Sequence, residues 1–342
     1  MKSEEGAVRP LLTIAIPTYN RAKLLAGLLN VLLPQVADEP RVELLICDNA
    51  SPDETEAVVR GWMEGGAPVR YIRHAENIGS DANFVRCFEE ARGEYFWLFG
   101  DDDVVLPGTV AKVLGHLERD QWDMLYVTGY EFKEDYERER VEDKLGRRWH
   151  TIENERELMR VVNVMFTLIS VIVVNKRRLE AIAHEAPREL VGTNLVQLSW
   201  SLPLLLHHRK SLVVWERMIA GRLGNAGGYS VGKVFGERLK EVAERTMPGR
   251  ADLVDELMNC TLRRWFPRTL YEARAAGNTR LGMHEVGDVL EKCFGRNFRY
   301  WLFVYPVLKL PMNMAKMWVK AGMAMSHAVY MLTVPRFWSK ER

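Results

Sequence analysis

Cysteine is scarce in this chain of 342 residues, which contains Cys47, Cys87, Cys260 and Cys293. These four residues lie far apart and match no metal-ligand spacing, so the sequence indicates neither a disulfide framework nor a structural zinc site. Residues 1–10 do not have the pattern of a signal peptide. We therefore expect reduced thiols in a cytoplasmic protein.

Two apolar segments are too short to span a bilayer. Residues 161–175 form an uncharged run of 15 residues, and no uncharged run after residue 296 exceeds 15. A transmembrane helix needs about 20 apolar residues, so we expect the first segment to be buried core. Net charge is +1, but residues 296–342 carry eight Lys and Arg against one Glu, which makes this tail +7 and the remainder −6. A nucleic-acid partner is not expected.

Strand and helix patterns alternate through the first hundred residues. Short apolar runs at 11–17, 42–47, 69–73 and 95–99 predict strands, and the intervening segments have apolar residues at helical spacing. Ser51, Pro52 and Glu54 predict a helix start with an N-cap, a first-turn proline and a capping box. This order predicts an α/β fold with a mainly parallel sheet that is flanked by helices on both faces.

Three consecutive acids, Asp101, Asp102 and Asp103, follow the fourth predicted strand. Neighbouring buried carboxylates repel one another, and a divalent cation relieves that repulsion. Mg²⁺ or Mn²⁺ needs one or two carboxylates when phosphate oxygens and water complete its shell. The alternative is a solvated acidic turn before a helix.

Polar clusters follow the other three strands, at 17–21, 48–51 and 74–79. Because ligands of parallel sheets bind beyond the carboxyl ends of the strands, we expect these loops to line one crevice. Asp48 can accept a hydrogen bond from a ring N–H of a base, and Tyr19 can cover a base or ribose. Residues 17–21 contain no glycine, so no phosphate loop is present and a metal must manage the phosphates. Singly, each cluster also fits a turn or a helix cap.

These motifs, together with Asn77-Ile78-Gly79 and the Leu106-Pro107-Gly108 that follows the acids, resemble family 2 glycosyltransferases over residues 10–130. The resemblance implies the GT-A fold, a nucleotide-sugar donor (UDP-, dTDP- or GDP-sugar) and Mg²⁺ or Mn²⁺ on Asp102 and Asp103. It implies a donor site made of Pro17, Thr18, Tyr19, Asn20, Arg21, Asp48, Asn77, Gly79, Asp101 and Asp102. The family pattern is Asp-x-Asp-Asp, and Gly100 occupies its first position here, so which acids bind the metal stays open.

An inverting transfer also needs a general base. The family often supplies it from a Glu-Asp pair before a helix, but the comparable stretch 190–197 contains no acid. Glu131, Asp135 and Glu185 are candidates by residue type alone. Residues 222–230 are glycine-rich and fit either a ligand-wrapping loop or a plain connector. With Gly192, Thr193 and Gln197, this loop resembles the abequosyltransferase-like subgroup of bacterial surface-polysaccharide enzymes.

We expect three regions: a GT-A domain at 1–230, a helical extension at 231–295 and a basic amphipathic helical segment at 296–342. Tryptophans and lysines on the last segment predict peripheral binding to the inner face of the cell membrane, where a polyprenyl-diphosphate-linked saccharide would be the acceptor. The alternative for this segment is a homo-oligomer contact or a helical cap. The alternative functions are a sugar nucleotidyltransferase or an inactive nucleotide-sugar-binding partner.

Overall fold

The computed structural model describes residues 9–142, 149–182, 186–224, 230–277 and 283–333. Strands within these residues form one sheet. They are β1 (Leu12–Thr18), β2 (Val42–Asp48), β3 (Val69–Arg73), β4 (Tyr95–Leu98), β5 (Val104–Val105), β6 (Met124–Phe132), β7 (Trp149–Ile152), β8 (Ile172–Asn175) and β9 (Ser211–Arg222).

The helices fall into an N-terminal and a C-terminal set. The first set is α1 (Ala22–Val36), α2 (Thr55–Glu64), α3 (Ser80–Glu90), α4 (Thr109–Leu117), α5 (Glu155–Val162), α6 (Lys176–Glu180) and α7 (Leu198–Leu206). The second set is α8 (Leu239–Thr246), α9 (Ala251–Cys260), α10 (Phe266–Ala275), α11 (Met283–Phe294), α12 (Tyr305–Lys309) and α13 (Met312–Thr333). One π-helical segment precedes each of α8, α10 and α12 directly. These segments are Gly232–Arg238, Thr261–Trp265 and Tyr300–Val304.

The first half of the sheet has the predicted parallel order. β3, β2, β1 and β4 lie side by side, and all three of their pairings are parallel. The second half adds β8, β6, β9 and β5, in which β6 and β9 are parallel and the other pairings are antiparallel. The α/β fold with helices on its faces is therefore confirmed, and the antiparallel strands extend it.

Apolar side chains cover both faces of this sheet. On one face, Trp97 of β4 packs in a buried cluster with Leu25 and Leu28 of α1. On the other, Phe96 makes an edge contact with Phe88 of α3, and Phe88 stacks on Trp200 of α7 at 5.3 Å between ring centroids. Successive residues of β4 point to opposite faces, so one strand anchors both layers. Most of the run 161–175, from the end of α5 to the end of β8, is buried as expected, but Leu168 is 47% exposed.

The predicted start of the second helix is wrong in detail. The helix begins at Thr55, and the Ser51 hydroxyl accepts from the backbone N–H of Asn20 instead of capping the helix. Asp53 takes over at the helix start, since its carboxylate accepts from the Thr55 N–H at 3.1 Å and from the Ala22 N–H at 2.9 Å. A tertiary contact between two loops has displaced the local capping pattern.

The chain divides into two compact units, residues 1–155 with 165–225, and residues 156–164 with 226–342. The first contains all nine strands, and the second is helical. The three-region division made from the sequence stays a prediction. No helix within the described ranges combines the length and the apolar character needed to cross a membrane.

Candidate active site

The parallel strands bring the predicted polar loops together. Thr18, the last residue of β1, pairs with Asp48, the last residue of β2, and Asp48 pairs with Arg73 at the end of β3. β4 lies on the other side of β1 and ends directly before the acidic residues. The loops after the four strands therefore lie along one edge of the sheet, where ligands of such folds bind.

Asp101 is buried and connects the acidic loop to the loop after β1. Its carboxylate accepts from the Thr18 hydroxyl and from the Arg21 guanidinium, both at 2.8 Å. The same guanidinium lies 3.5 Å from Asp102, whose side chain is 15% exposed. Asp101 therefore fixes the position of Thr18 and Arg21, and Arg21 places a positive charge between two of the three acids.

Asp103 connects the acidic loop to the other half of the sheet. Its carboxylate accepts from the Ser170 hydroxyl at 2.5 Å and from the backbone N–H of Arg222 at 2.9 Å. The Ser170 oxygen also accepts from the Gly100 N–H at 3.0 Å. A side chain at Gly100 would be crowded, because a Cβ there would lie 3.0 Å from Asp102 and 3.2 Å from Asp103, and these carboxylates would have to shift by a few tenths of an ångström. The residue that departs from the family pattern thus lets the acidic loop fold this tightly.

Burial disfavours the ionised form of the carboxyl groups in the acidic loop. It raises the pKa of Asp101 to about 6, against the lowering effect of Arg21. It also raises the pKa of Asp103 to about 6, and the neighbouring Asp102 adds to that rise. Both carboxylates are mostly ionised at neutral pH, so the loop holds closely spaced negative charge away from water. The alternative interpretation as a solvated acidic turn is therefore wrong.

The donor set of this loop fits a hard divalent cation. Carboxylate oxygens are the ligands that Mg²⁺ and Mn²⁺ prefer, and Asp102 and Asp103 both approach the position where a Cβ of Gly100 would lie. Within the described ranges, no three His, Cys, Asp or Glu side chains are placed so that they could hold a metal ion by themselves. Two carboxylates would suffice if phosphate oxygens supplied further ligands.

Asp48 is placed differently from the expectation. Its side chain is completely buried, and its two oxygens accept from the Ser51 N–H at 2.8 Å and from the Tyr71 hydroxyl at 2.5 Å. Arg73 Nε lies 3.5 Å from the second oxygen. Neighbours on the chain therefore already engage both oxygens of the predicted base acceptor, and its role towards a base stays a prediction. The same contacts raise the pKa of Tyr71, through burial first and the Asp48 hydrogen bond second.

Asn49 ties the loop after β3 to the loop after β2. Its side chain donates to Asn77 Oδ1 at 2.8 Å and accepts from the Ile78 N–H at 2.9 Å. Gly79 has a φ of 86°, a conformation that favours glycine. It is the N-cap of α3, which begins at the next residue. Asn77 and Gly79 therefore shape this loop as predicted turn residues would. On the opposite loop Tyr19 is 43% exposed and available to a ligand.

The two described base candidates have different surroundings. Glu131 is exposed on β6 and pairs with Gly221 of β9. A Cβ at Gly221 would lie 3.7 Å from the Asp103 carboxylate. Paired residues of parallel strands point to the same face, so Glu131 lies on the face of the sheet on which the Asp103 carboxylate approaches Gly221. Asp135 instead closes its own turn, where it accepts from the N–H groups of Glu137 and Arg138.

Two sequence predictions fall partly outside the described residues. Glu185 lies outside them, as does most of the glycine-rich segment, residues 225–229. The comparable base segment at 190–197 is described, and the buried carboxylate of Asp81 accepts from the N–H groups of Gly192 and Asn194 there. This acid holds the turn from α3, and its sequence position gave no sign of that role.

Sequence reasoning missed three residues that organise the site, Tyr71, Ser170 and Gly221, and it included Arg222 only as the first residue of the glycine-rich segment. Tyr71 follows the alternation of β3 and looks like an ordinary strand residue. Ser170 is one polar residue in an uncharged run. Gly221 and Arg222 matter only because β9 pairs with β5 and β6, which are distant in sequence. No local pattern could have identified them.

Comparison with known proteins gives a consistent result. The family model described as glycosyl transferase family 2 matches residues 13–180. Over 195 residues the chain is 31% identical to the abequosyltransferase RfbV of Salmonella typhimurium, which covers 54% of this chain and 58% of that protein. It is 26% identical over 106 residues to the GalNAc(5)-diNAcBac-PP-undecaprenol beta-1,3-glucosyltransferase of Campylobacter jejuni, covering 31% of this chain and 34% of that one. The matched segments thus span less than two thirds of either relative.

Solved structures share the fold at low sequence identity. S. aureus TarS 1–349 in complex with UDP-GlcNAc superposes with a TM-score of 0.60 at 16% identity, covering 94% of this chain and 91% of that one. The mannosyltransferase PcManGT from Pyrobaculum calidifontis, in complex with GDP-Man and Mn²⁺, gives a TM-score of 0.51 at 14% identity and covers 94% and 88%. At this identity the likeness establishes the fold alone.

Proposed function

We propose that this chain, whose residues 13–180 match the model of glycosyl transferase family 2, transfers a sugar from a nucleotide-sugar donor to a glycan acceptor in bacterial surface-polysaccharide biosynthesis. The observation that carries this proposal is the buried acidic loop at the carboxyl ends of β1 and β4, bonded to Thr18 and Arg21. The names of two relatives, an abequosyltransferase and an undecaprenol-linked glucosyltransferase, support the same class of reaction.

The donor would lie across the loops after β1, β2 and β3. Exposed Tyr19 can stack on a base or a ribose, and Arg21 can add a cation beside the diphosphate. Asp48 would contribute to donor binding indirectly, by holding the Ser51 N–H and the Tyr71 hydroxyl in place. UDP-, dTDP- and GDP-sugars are the proposed donors, and similar structures contain UDP-GlcNAc and GDP-Man.

Asp102 and Asp103 would hold Mg²⁺ or Mn²⁺ together with the donor diphosphate. The ion would stabilise the negative charge that develops on the departing nucleoside diphosphate. The chain's own residues keep the loop ready for this role. Ser170 and the Arg222 N–H orient Asp103, while Arg21 balances Asp101 and Asp102.

Glu131 is the proposed general base of an inverting transfer. It shares a sheet face with Asp103, and the residue that pairs with it on β9 is Gly221, which has no side chain. Neighbouring strands are about 4.8 Å apart, so two strand spacings put the backbones of Glu131 and Asp103 roughly 10 Å from each other. An acceptor hydroxyl would bind on the face of the sheet that Glu131 and Asp103 share. Exposed Glu131 could then take the proton of that hydroxyl.

The acceptor we propose is a saccharide linked to a polyprenyl diphosphate, as the name of the Campylobacter relative suggests for its own substrate. Such an acceptor stays in the membrane, so the enzyme would work as a peripheral protein on the cytoplasmic face. A contact between two copies of the chain is the alternative role for the C-terminal helices.

A donor panel with Mn²⁺ and a bacterial lipid extract tests the proposal. We expect labelled sugar to move into the lipid fraction from one donor. Glu131→Gln should lower kcat by about 100-fold or more with unchanged donor affinity, because general-base catalysis contributes about 10²–10⁴. Asp135→Asn is the matched control and should leave kcat unchanged. Synthesis of a nucleotide-sugar from a sugar phosphate would indicate a nucleotidyltransferase instead, and donor binding without any transfer would indicate an inactive partner.

A further inference from the structure

Helix α13 has two separate apolar stripes. One stripe is buried against the helical unit and includes Ala315 and Val319. The other points outward, with Met314 50%, Met317 72%, Trp318 39% and Met325 45% exposed. Residues three, four and seven apart share a side of a helix, so these four residues form one continuous stripe. Packing of the core explains the first stripe and leaves the second without a role in folding.

The segment before α12 extends this outward surface. Phe298 is 62%, Trp301 43% and Leu302 38% exposed. The Trp318 indole N–H donates to the Leu302 carbonyl at 2.8 Å, which joins the two parts. The Trp301 indole N–H donates to the Gly295 carbonyl at 2.8 Å, so its ring is also held in place. We call the following seven residues the C-terminal patch: Phe298, Trp301, Leu302, Met314, Met317, Trp318 and Met325.

The segment that carries the C-terminal patch is positively charged, and acids that face it come from α11, where Asp288 and Glu291 act on Tyr300. Lys309, Lys316 and Lys320 belong to the same helices, and the Arg299 guanidinium lies 4.6 Å from the centre of the Phe298 ring. The sequence contains no Asp or Glu between residues 292 and 340. An apolar surface of this extent on a protein usually marks an interaction site. The charge around it selects a partner that is both apolar and negative.

We propose that the C-terminal patch binds the surface of an anionic lipid bilayer. Exposed tryptophan and methionine side chains would enter the boundary between head groups and acyl chains, and the lysines would reach the anionic head groups. A second copy of the chain fits less well, because a twofold contact would bring the same lysines together. Lipid binding itself follows from the surface alone. Its purpose, delivery of the lipid-linked acceptor, rests on the proposed function.

Vesicle flotation with the full-length chain tests this inference. Vesicles would contain phosphatidylcholine with graded fractions of phosphatidylglycerol, at low and high salt. We expect binding to rise with the anionic fraction and to fall with salt. Lys316→Glu with Lys320→Glu should weaken it about 30-fold or more, since each cation near an anionic surface contributes roughly fivefold. Met314→Ser with Met317→Ser should weaken it by at least about tenfold.

Matched controls are available on other surfaces. Lys233→Glu with Lys240→Glu makes the same charge change in the same helical unit, and Met63→Ser alters a methionine that is 38% exposed in the sheet-containing unit. Both controls should bind vesicles as the unchanged protein does. Circular dichroism melting should show that every variant is folded, and donor binding in the absence of lipid should be equal in all of them.

Three results would overturn the inference. The first is equal flotation on neutral and anionic vesicles, and the second is equal loss of binding in the patch and control variants. The third is a dimer that the Met314→Ser/Met317→Ser variant converts to monomer without any lipid dependence, which would make the patch a contact between copies. Absence of donor binding in every variant would instead refute the proposed function and leave the lipid result standing.

Discussion

Replacement of Asp48 should reveal a structural residue where the family resemblance implies a base contact. The carboxylate is fully buried and accepts from the Ser51 N–H and the Tyr71 hydroxyl. Asp48→Ala removes both acceptors at once. Ser51 is itself buried, so its N–H would be left without a partner and without water. Tyr71 is partly buried and Arg73 is exposed, so both side chains could turn towards solvent.

The expected loss follows from these contacts. An unsatisfied buried donor costs about 1–3 kcal/mol, and a hydrogen bond to a charged group contributes about 1.5–3 kcal/mol. We therefore expect Asp48→Ala to lower the free energy of unfolding by roughly 3–4 kcal/mol. Tyr71→Phe should lower it by about 1.5 kcal/mol, because the hydroxyl is half-buried. In the Asp48→Ala background the same Tyr71 change should cost close to nothing, which gives a coupling energy of about 1–2 kcal/mol.

Urea unfolding of the four proteins in this cycle measures these values, and calorimetry of UDP binding separates stability from recognition. Tyr19→Phe serves as the control, since this exposed tyrosine should not affect unfolding. The reasoning fails if Asp48→Ala unfolds at the same urea concentration as the unchanged protein but loses UDP affinity tenfold or more. Asp48 would then contact the ligand directly, and Tyr71 would be a replaceable occupant of its oxygen.

Three further predictions concern the acidic loop and two buried histidines. Mn²⁺ should raise the affinity of the unchanged protein for UDP in calorimetry, but it should not raise that of the Asp102→Asn/Asp103→Asn variant. EDTA should leave the Tm of the unchanged protein as it is, because protein donors already hold the acidic loop in place. Gly100→Asp, which restores the family acid, should destabilise the fold by about 1–3 kcal/mol through crowding, and better metal binding would contradict this. Burial lowers the pKa of His116 and of His208, so the unfolded chain, with a pKa of about 6.5, protonates first. The two histidines should therefore lower the free energy of unfolding as pH drops below about 6.5, while Asp101 and Asp103, whose pKa burial raises to about 6, act in the opposite direction. A His116→Asn/His208→Asn protein should accordingly lose less stability in acid than the unchanged protein, as measured by urea unfolding at a series of pH values.

The first half of the fold was predictable because its signals are local. Each strand from β1 to β4 is a short apolar run that ends in polar residues, and each connecting helix has its own periodicity. The strand at 69–73 was predicted with its observed ends. Parallel connections then place the loops at one edge without further information. Asp101 and Asp103 were found for the same reason, as charges directly after a buried strand.

The rest depends on pairings that no local pattern encodes. Asp103 accepts from the N–H of a residue 119 positions away, and Asp101 binds Thr18 across 83 positions. The sequence around Ser51 is that of a strong helix cap, yet the Ser51 hydroxyl accepts from the backbone N–H of Asn20 in the loop after β1. Local propensity is worth only a few tenths to about 1 kcal/mol per cap, so a buried network of charge-assisted hydrogen bonds overrides it. Asp48 was predicted as an acceptor for a base, and its hydrogen bond with Tyr71 could not be foreseen because Tyr71 is contributed by another strand.

The three acids share one loop, but Asp101 and Asp103 contact different parts of the sheet. Asp101 points towards β1 and holds Thr18 and Arg21, and Asp103 points towards β9 and holds the Arg222 N–H. Together they join the parallel half of the sheet to the antiparallel half at the place where a donor would bind. Such anchors cannot move far without breaking hydrogen bonds on both sides. A ligand that binds through these carboxylates would therefore meet a preorganised site. The Arg21 guanidinium lies beside them, and its movement would change the net charge of that site.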